Sequence, residues 1–133
     1  MTPLILYLIT LAIFLVLDFF GLTYLIKPTF ERDIGPLLAS PFRILPAFLF
    51  YAFYIGVLLW FVSWPGLTQE KSLWWVLGNA MLLGAFGYGT YEFTNYATLK
   101  DWTSDMVFLD LTWGIALTGI TATAGVAIAR SFG

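Results

Sequence analysis

The sequence contains no cysteine and no histidine. The first absence removes disulfides and thiolate chemistry. The second removes imidazole bases, axial haem ligation by histidine and the usual zinc sites. Charge is scarce too: Asp, Glu, Lys and Arg make up 11% of 133 residues, and the net charge is −2. The basic residues are few and scattered, so neither a nucleic-acid surface nor a polybasic lipid-binding patch is expected. Walker-type loops, dinucleotide fingerprints, nucleophile elbows and metal motifs are missing as well. Any chemistry must use carboxylates, phenols, amides, hydroxyls, Lys or Arg, and the sequence names no cofactor and no metal.

What is present is mostly hydrocarbon. The chain is 60% hydrophobic and 20% aromatic, with a mean hydropathy of +0.87, which is the composition of a membrane protein. A helix needs about 20 apolar residues to cross the hydrocarbon, and four segments qualify, at about residues 3–26, 44–64, 73–99 and 106–129. The first lacks the basic start and small-residue cleavage site of a signal peptide and reads as a retained span. Lys27-Pro28, Trp64-Pro65-Gly66, Lys100-Asp101 and Arg130 punctuate the ends of the four segments. The short second and third loops predict antiparallel neighbours. The expectation is an all-α integral membrane four-helix bundle, with residues 1–133 as a single transmembrane domain. The longest connection, residues 27–43, reads either as a short interfacial helix or as a turn-rich connector broken at Pro36.

Lys27, Arg32, Arg43 and Lys100 lie in loops one and three, against Lys71 and Arg130 on the other side. This bias places those loops in the cytoplasm and both termini outside. Trp60, Trp64, Trp74 and Trp75 flank loop two and read as an aromatic belt at the outer interface.

The third segment is unusual, for it contains GYGTYEFTNYATLKDW, Gly87 to Trp102. At about 100° per residue, Tyr88, Tyr91, Glu92 and Asn95 share one face with Gly84, while Phe86, Phe93 and Ala97 point the other way. Such a stripe can turn inward, away from lipid. The other spans offer partners at matching depth. Counted from the cytoplasmic ends, Asp18 and Tyr51 lie about 12 Å in, Glu92 about 10 Å and Asp110 about 6 Å. Tyr54 follows Tyr51 by nearly one turn. Gly114, Thr118, Ala122, Gly125 and Ala129 form a small-residue row that lets helices approach closely and points Asp110 into an interface. The candidate site is therefore Asp18, Glu92, Asp110, Tyr51, Tyr54, Tyr88, Tyr91 and Asn95. An ionised carboxylate at mid-membrane costs about 2.5–3.5 kcal/mol on insertion scales. No Lys or Arg lies inside a span, so Asp18, Glu92 and Asp110 are not expected all to be ionised at pH 7.

The stretch from Tyr88 to Trp102, followed by Asp110-Leu-Thr-Trp113-Gly114, resembles the signature of the DUF2177 family of small membrane proteins. Asp18 with Gly21, and Phe50-Tyr51 with Tyr54-Ile55-Gly56, support the resemblance, which covers essentially the whole chain. Glu92 stands where family members usually carry Asp, which keeps the acid and lengthens its reach by one methylene. The resemblance implies a four-helix protein of the bacterial inner membrane and brings no activity with it.

Three functional readings are open at this stage. Acids and tyrosines could bind, or chemically modify, a lipid-like or other small amphiphile in the cytoplasmic leaflet. The chain could instead be a non-enzymatic accessory or assembly subunit of a larger membrane complex. Third, the acids could serve proton- or cation-coupled transport, for which a homodimer would be needed. The bilayer is the expected partner in each, and nucleic acid in none.

Overall fold

The computed structural model describes residues 1–132, which are helical almost throughout, with no strand among the described residues. Thr2 opens the first helix by accepting the N–H of Ile5 at 3.3 Å, with Pro3 in the first turn where its missing N–H is harmless. Helix α1 (Pro3–Gly21) runs into a π-helical turn (Leu22–Ile26), then α2 (Lys27–Ile34) and a short 3-10 turn (Gly35–Leu37). The second rod repeats this plan, as α3 (Ile44–Leu58), a π-helical turn (Leu59–Ser63) and α4 (Trp64–Thr68). Ser72 caps α5 (Leu73–Thr98) by accepting the N–H of Trp75 at 3.1 Å, and α6 (Ser104–Phe132) completes the chain.

Two sequence expectations need correction here. Pro28 and Pro65 were expected to mark the ends of the first two spans, yet the helix continues past both. Each proline stands two residues after a π turn. A proline ring clashes with the carbonyl four residues back and offers no N–H to it, and a widened turn accommodates both defects. The connection after the first span is accordingly neither a separate interfacial helix nor mainly turns, but a continuation of the same rod to Ile34.

Three of the rods are long and apolar enough to cross a membrane. The exception is α5, whose 26 residues reach about 39 Å but carry the polar stripe. It packs along most of its length against α6, which is the hub of the bundle. Helices in lipid gain little from hydrophobicity alone and associate through close approach. The row Gly114, Thr118, Ala122, Gly125 and Ala129 is buried throughout. A side chain at Gly114 would enter the ring of Tyr88, and one at Gly21 would enter the indole of Trp113.

The two ends of the bundle differ. Towards the termini, Leu6, Leu58, Val62, Val76, Leu117 and Val126 form a continuous core. Arg130 closes that end, its guanidinium donating to the carbonyls of Gly66 (3.1 Å) and Lys71. Trp60 and Trp74, beside loop two, point outward. Towards loops one and three the rods splay. Residues 22–25 and 44–50 are all exposed, as are residues 93–100 apart from half-buried Asn95. Every residue in the first two turns of α3 is thus exposed. Only α2 stays close there, where Ile34 meets Trp102, Met106 and Val107 in a small second core with Phe30 and Leu38 against it.

Candidate carboxylate and tyrosine site

Each of the three carboxyls is buried at the base of the splay, for a local reason. Gly21 leaves a notch on α1 that the indole of Trp113 fills, and from there Trp113 Nε1 donates to Asp18 Oδ1 at 3.3 Å. The Tyr51 hydroxyl reaches the same carboxyl from α3, its ring held edge-on by Phe14 at 5.2 Å. Asp18 is consequently 3% exposed.

Glu92 is 0% exposed. Its Oε1 accepts from Trp102 Nε1 at 3.0 Å, and the Trp102 ring is wedged edge-on between Phe30 of α2 and Tyr91 of α5, at 5.4 and 5.8 Å. Oε2 is buried and receives no N–H or hydroxyl donor. The carboxyl of Asp110, on α6, stands within hydrogen-bonding reach of Glu92, and two carboxyls bond only if they share a proton.

The tyrosines divide into three kinds. Tyr88 lies over Gly114, and its hydroxyl is buried without a partner, within electrostatic reach of Asp18, Tyr51 and Asp110. Tyr54 is engaged elsewhere. Thr118 gives its only hydroxyl hydrogen to the Gly114 carbonyl at 2.7 Å, so the 2.8 Å contact between Tyr54 and Thr118 has Tyr54 as donor. Tyr54 therefore braces α3 against α6, with its ring 6.1 Å from that of Tyr88. Tyr91 is 54% exposed, pairs with half-buried Asn95 and belongs to the rim.

Of the eight residues singled out from sequence, Asp18, Glu92, Asp110, Tyr51 and Tyr88 share one neighbourhood. Tyr54 adjoins it, and Tyr91 with Asn95 edges it. Sequence reasoning missed the two indoles and Thr118. One signal was available for Trp113: three residues after Asp110 it falls on the same side of α6, and a carboxyl in hydrocarbon needs donors. Trp102, in a loop, reads as an interfacial anchor and gave no such sign.

Over this site lies a polar clasp. Arg32 of α2 donates to Asp33 at 2.7 Å and to Asp105 at 3.1 Å. Thr103 donates to Asp33 at 2.6 Å while accepting the N–H of Met106 at 3.2 Å, which caps α6. The Arg32 guanidinium, aided by Thr103, holds the Asp33 carboxyl below the usual carboxylate range, and the Asp33 and Asp105 carboxylates raise Arg32 further above its own. The clasp fixes α2 above Trp102.

Chemically, the site is rich in acceptors and short of donors. Asp18, Glu92 and Asp110 face two indole N–H groups and the Tyr51 hydroxyl. No group of three or more His, Cys, Asp or Glu side chains among the described residues is placed to hold a metal ion. No curated protein and no solved structure matches the chain. The family described as "Predicted membrane protein (DUF2177)" matches residues 3–127, a range that contains every residue of the site.

Proposed function

Because the chain belongs to the DUF2177 family of predicted membrane proteins, we propose that its carboxylate and tyrosine cluster binds the polar head of a membrane amphiphile that enters sideways from the leaflet. In this reading loops one and three face the cytoplasm of a bacterial cell, both termini lie outside, and the site sits in the inner half of the inner membrane. The reading is carried by one observation: the exposed apolar turns of α3 lead straight to the polar cluster. Residues 44–50 of α3 are apolar and exposed, and the next residue, Tyr51, reaches Asp18 within electrostatic range of the buried, unpartnered Tyr88 hydroxyl. An alkyl chain lying along α3 would bring its head to these atoms. A proton shared by Glu92 and Asp110 would also be available for general acid-base chemistry on that head, so the reading covers modification as well as binding.

The same uncovered turns of α3 support a second reading, in which a helix from a larger membrane complex, or from a second copy of the chain, covers them. Coupled transport ranks last, because Phe14, Ile55, Leu58 and Leu117 pack the bundle beyond the cluster. Purification in a gentle detergent followed by native mass spectrometry separates these readings. The amphiphile reading expects a retained small molecule whose occupancy falls in Asp18→Asn and Glu92→Gln. A stoichiometric partner protein, with no small molecule, would replace it with the second reading.

A further inference from the structure

We propose that the end of the bundle that carries the termini has a second site, separate from the carboxylate cluster, which holds a lipid head made of a phosphate and a primary amine. Arg130 takes the phosphate and Glu70 the ammonium.

The site is an open cavity of about 580 Å³ between the end of α6 and loop two. Trp64, Leu67 and Ala129 give it apolar walls, and Thr68, Glu70 and Arg130 supply its polar lining. Arg130 is held in place there. Its Nη2 donates to the carbonyls of Gly66 and Lys71, and the guanidinium is half-buried against loop two. That nitrogen engages two of the guanidinium's five N–H groups. Those on Nε and Nη1 meet no acceptor, and no carboxylate pairs with the guanidinium, among the described residues. A fixed cation with free hydrogens at a cavity wall suits an anion, and phosphate is a preferred partner of arginine.

The acid of the site is equally free. Glu70 forms no ion pair among the described residues, and its backbone takes a left-handed φ of 51°, a conformation uncommon for residues other than glycine and asparagine. The neighbouring Lys71 leaves it unpaired and sets its ammonium over the ring of Trp75 at 5.5 Å. Thr68 gives its hydroxyl hydrogen to the Trp64 carbonyl at 2.8 Å, so towards the cavity it can only accept. One guanidinium with hydrogens to give, beside a carboxylate and a hydroxyl that accept, matches a head that is anionic at its phosphate and carries N–H groups at its far end.

Other heads fit less well. A phosphate esterified to glycerol would bring no cation to Glu70. A choline head brings the charge but no N–H for Glu70 or Thr68. The apolar walls, with Trp64 among them at the end of rods long enough to cross a membrane, favour a lipid over a soluble phosphate ester.

The test titrates the full-length protein in detergent with phosphatidylethanolamine, phosphatidylglycerol and phosphatidylcholine of identical chains, and with soluble phosphoethanolamine, reading native mass spectra and the thermal unfolding midpoint. Phosphatidylethanolamine is expected to bind at least about fivefold more tightly than the other two lipids. Glu70→Gln should erase that preference, and Arg130→Gln should weaken retention of all three. Should Arg130→Gln not fold, Glu70→Gln decides, because its side chain is exposed and closes no part of the bundle. Equal binding of the three lipids, or a preference that survives Glu70→Gln, would overturn the paired head, as would full retention by a folded Arg130→Gln. Equal protection by soluble phosphoethanolamine would overturn the lipid as its source.

Discussion

The half of the bundle that carries the termini and the half that carries loops one and three are made from the same four rods, yet they hold together differently. In the first, Leu6, Val62, Val76 and Val126 meet around a buried row of small residues on α6. In the second, the rods separate, and burial is local: one indole in a glycine notch shelters Asp18, and another beneath α2 shelters Glu92. The difference teaches that close packing in lipid is set by where backbones can approach rather than by where apolar residues are. The splayed half contains Ile44, Leu45, Phe48, Leu49 and Phe50, all exposed, and they close nothing. A polar cluster can be bordered by hydrocarbon without being filled by it.

That contrast can be broken at its strongest point. Gly114 joins the two halves, since Tyr88 lies directly on it. Gly114→Leu is expected to force α5 from α6 and to cost about 1–3 kcal/mol or more through overpacking, seen as a large loss of monodisperse protein and a lower unfolding midpoint. An unchanged midpoint would mean that the hairpin does not depend on this approach.

A smaller effect sharpens the splayed half. Trp102→Phe keeps most of the ring packing but removes the only indole donor to Glu92, leaving its buried Oε1 without that bond at a cost of about 1–3 kcal/mol. Combining it with Glu92→Leu should recover part of that loss, and thermal unfolding of the double-mutant cycle measures the coupling. Strict additivity would show that the 3.0 Å bond contributes nothing. Tyr54→Phe follows, removing the single donation to Thr118 across the boundary between the halves, at about 0.5–1.5 kcal/mol by the same measurement.

The clasp gives the smallest effect. Asp33 is held below its ordinary value by Arg32 and then Thr103. A carboxyl lowered on folding adds stability above its unfolded pKa, about 3.9, and that stability is lost as pH falls through the lowered value. The difference in midpoint between the protein and its Asp33→Asn variant should therefore be small, constant near neutral pH, and vanish in strong acid. A difference that grew on acidification would contradict the sign.

Much of the scaffold is legible in the sequence. The all-helical plan follows from long apolar runs, and the close approach along α6 from the spacing of Gly114, Thr118, Ala122, Gly125 and Ala129. The inward turn of Glu92 follows from Phe86 and Phe93 on the opposite face. The uncovered turns of α3 were not legible, because a helix that is apolar all round looks the same in sequence whether helices or lipid surround it. The indole donors were hidden for a related reason. Tryptophan is amphipathic, and in a membrane protein its commonest setting is the interface, so Trp102 gave no sign of reaching a buried acid. The stripe was also narrower than the helical wheel suggested: Glu92 and Tyr88 are inside, while Tyr91, next in sequence to Glu92, lies 54% exposed at its edge.

The π turn before Pro28 gives the first rod two headings. Up to Gly21 the rod addresses the interior, where Asp18 meets Trp113. After Ile26 it addresses loop three, where Phe30 and Ile34 meet Trp102. One additional residue in a turn rotates everything beyond it by about 100°, so the roof over Glu92 is aimed by a stretch of five residues that precedes the roof itself. A one-residue deletion within Leu22–Ile26 would leave Asp18 where it is and swing the roof aside, making chain length, rather than side-chain chemistry, the variable that governs how far this site is covered.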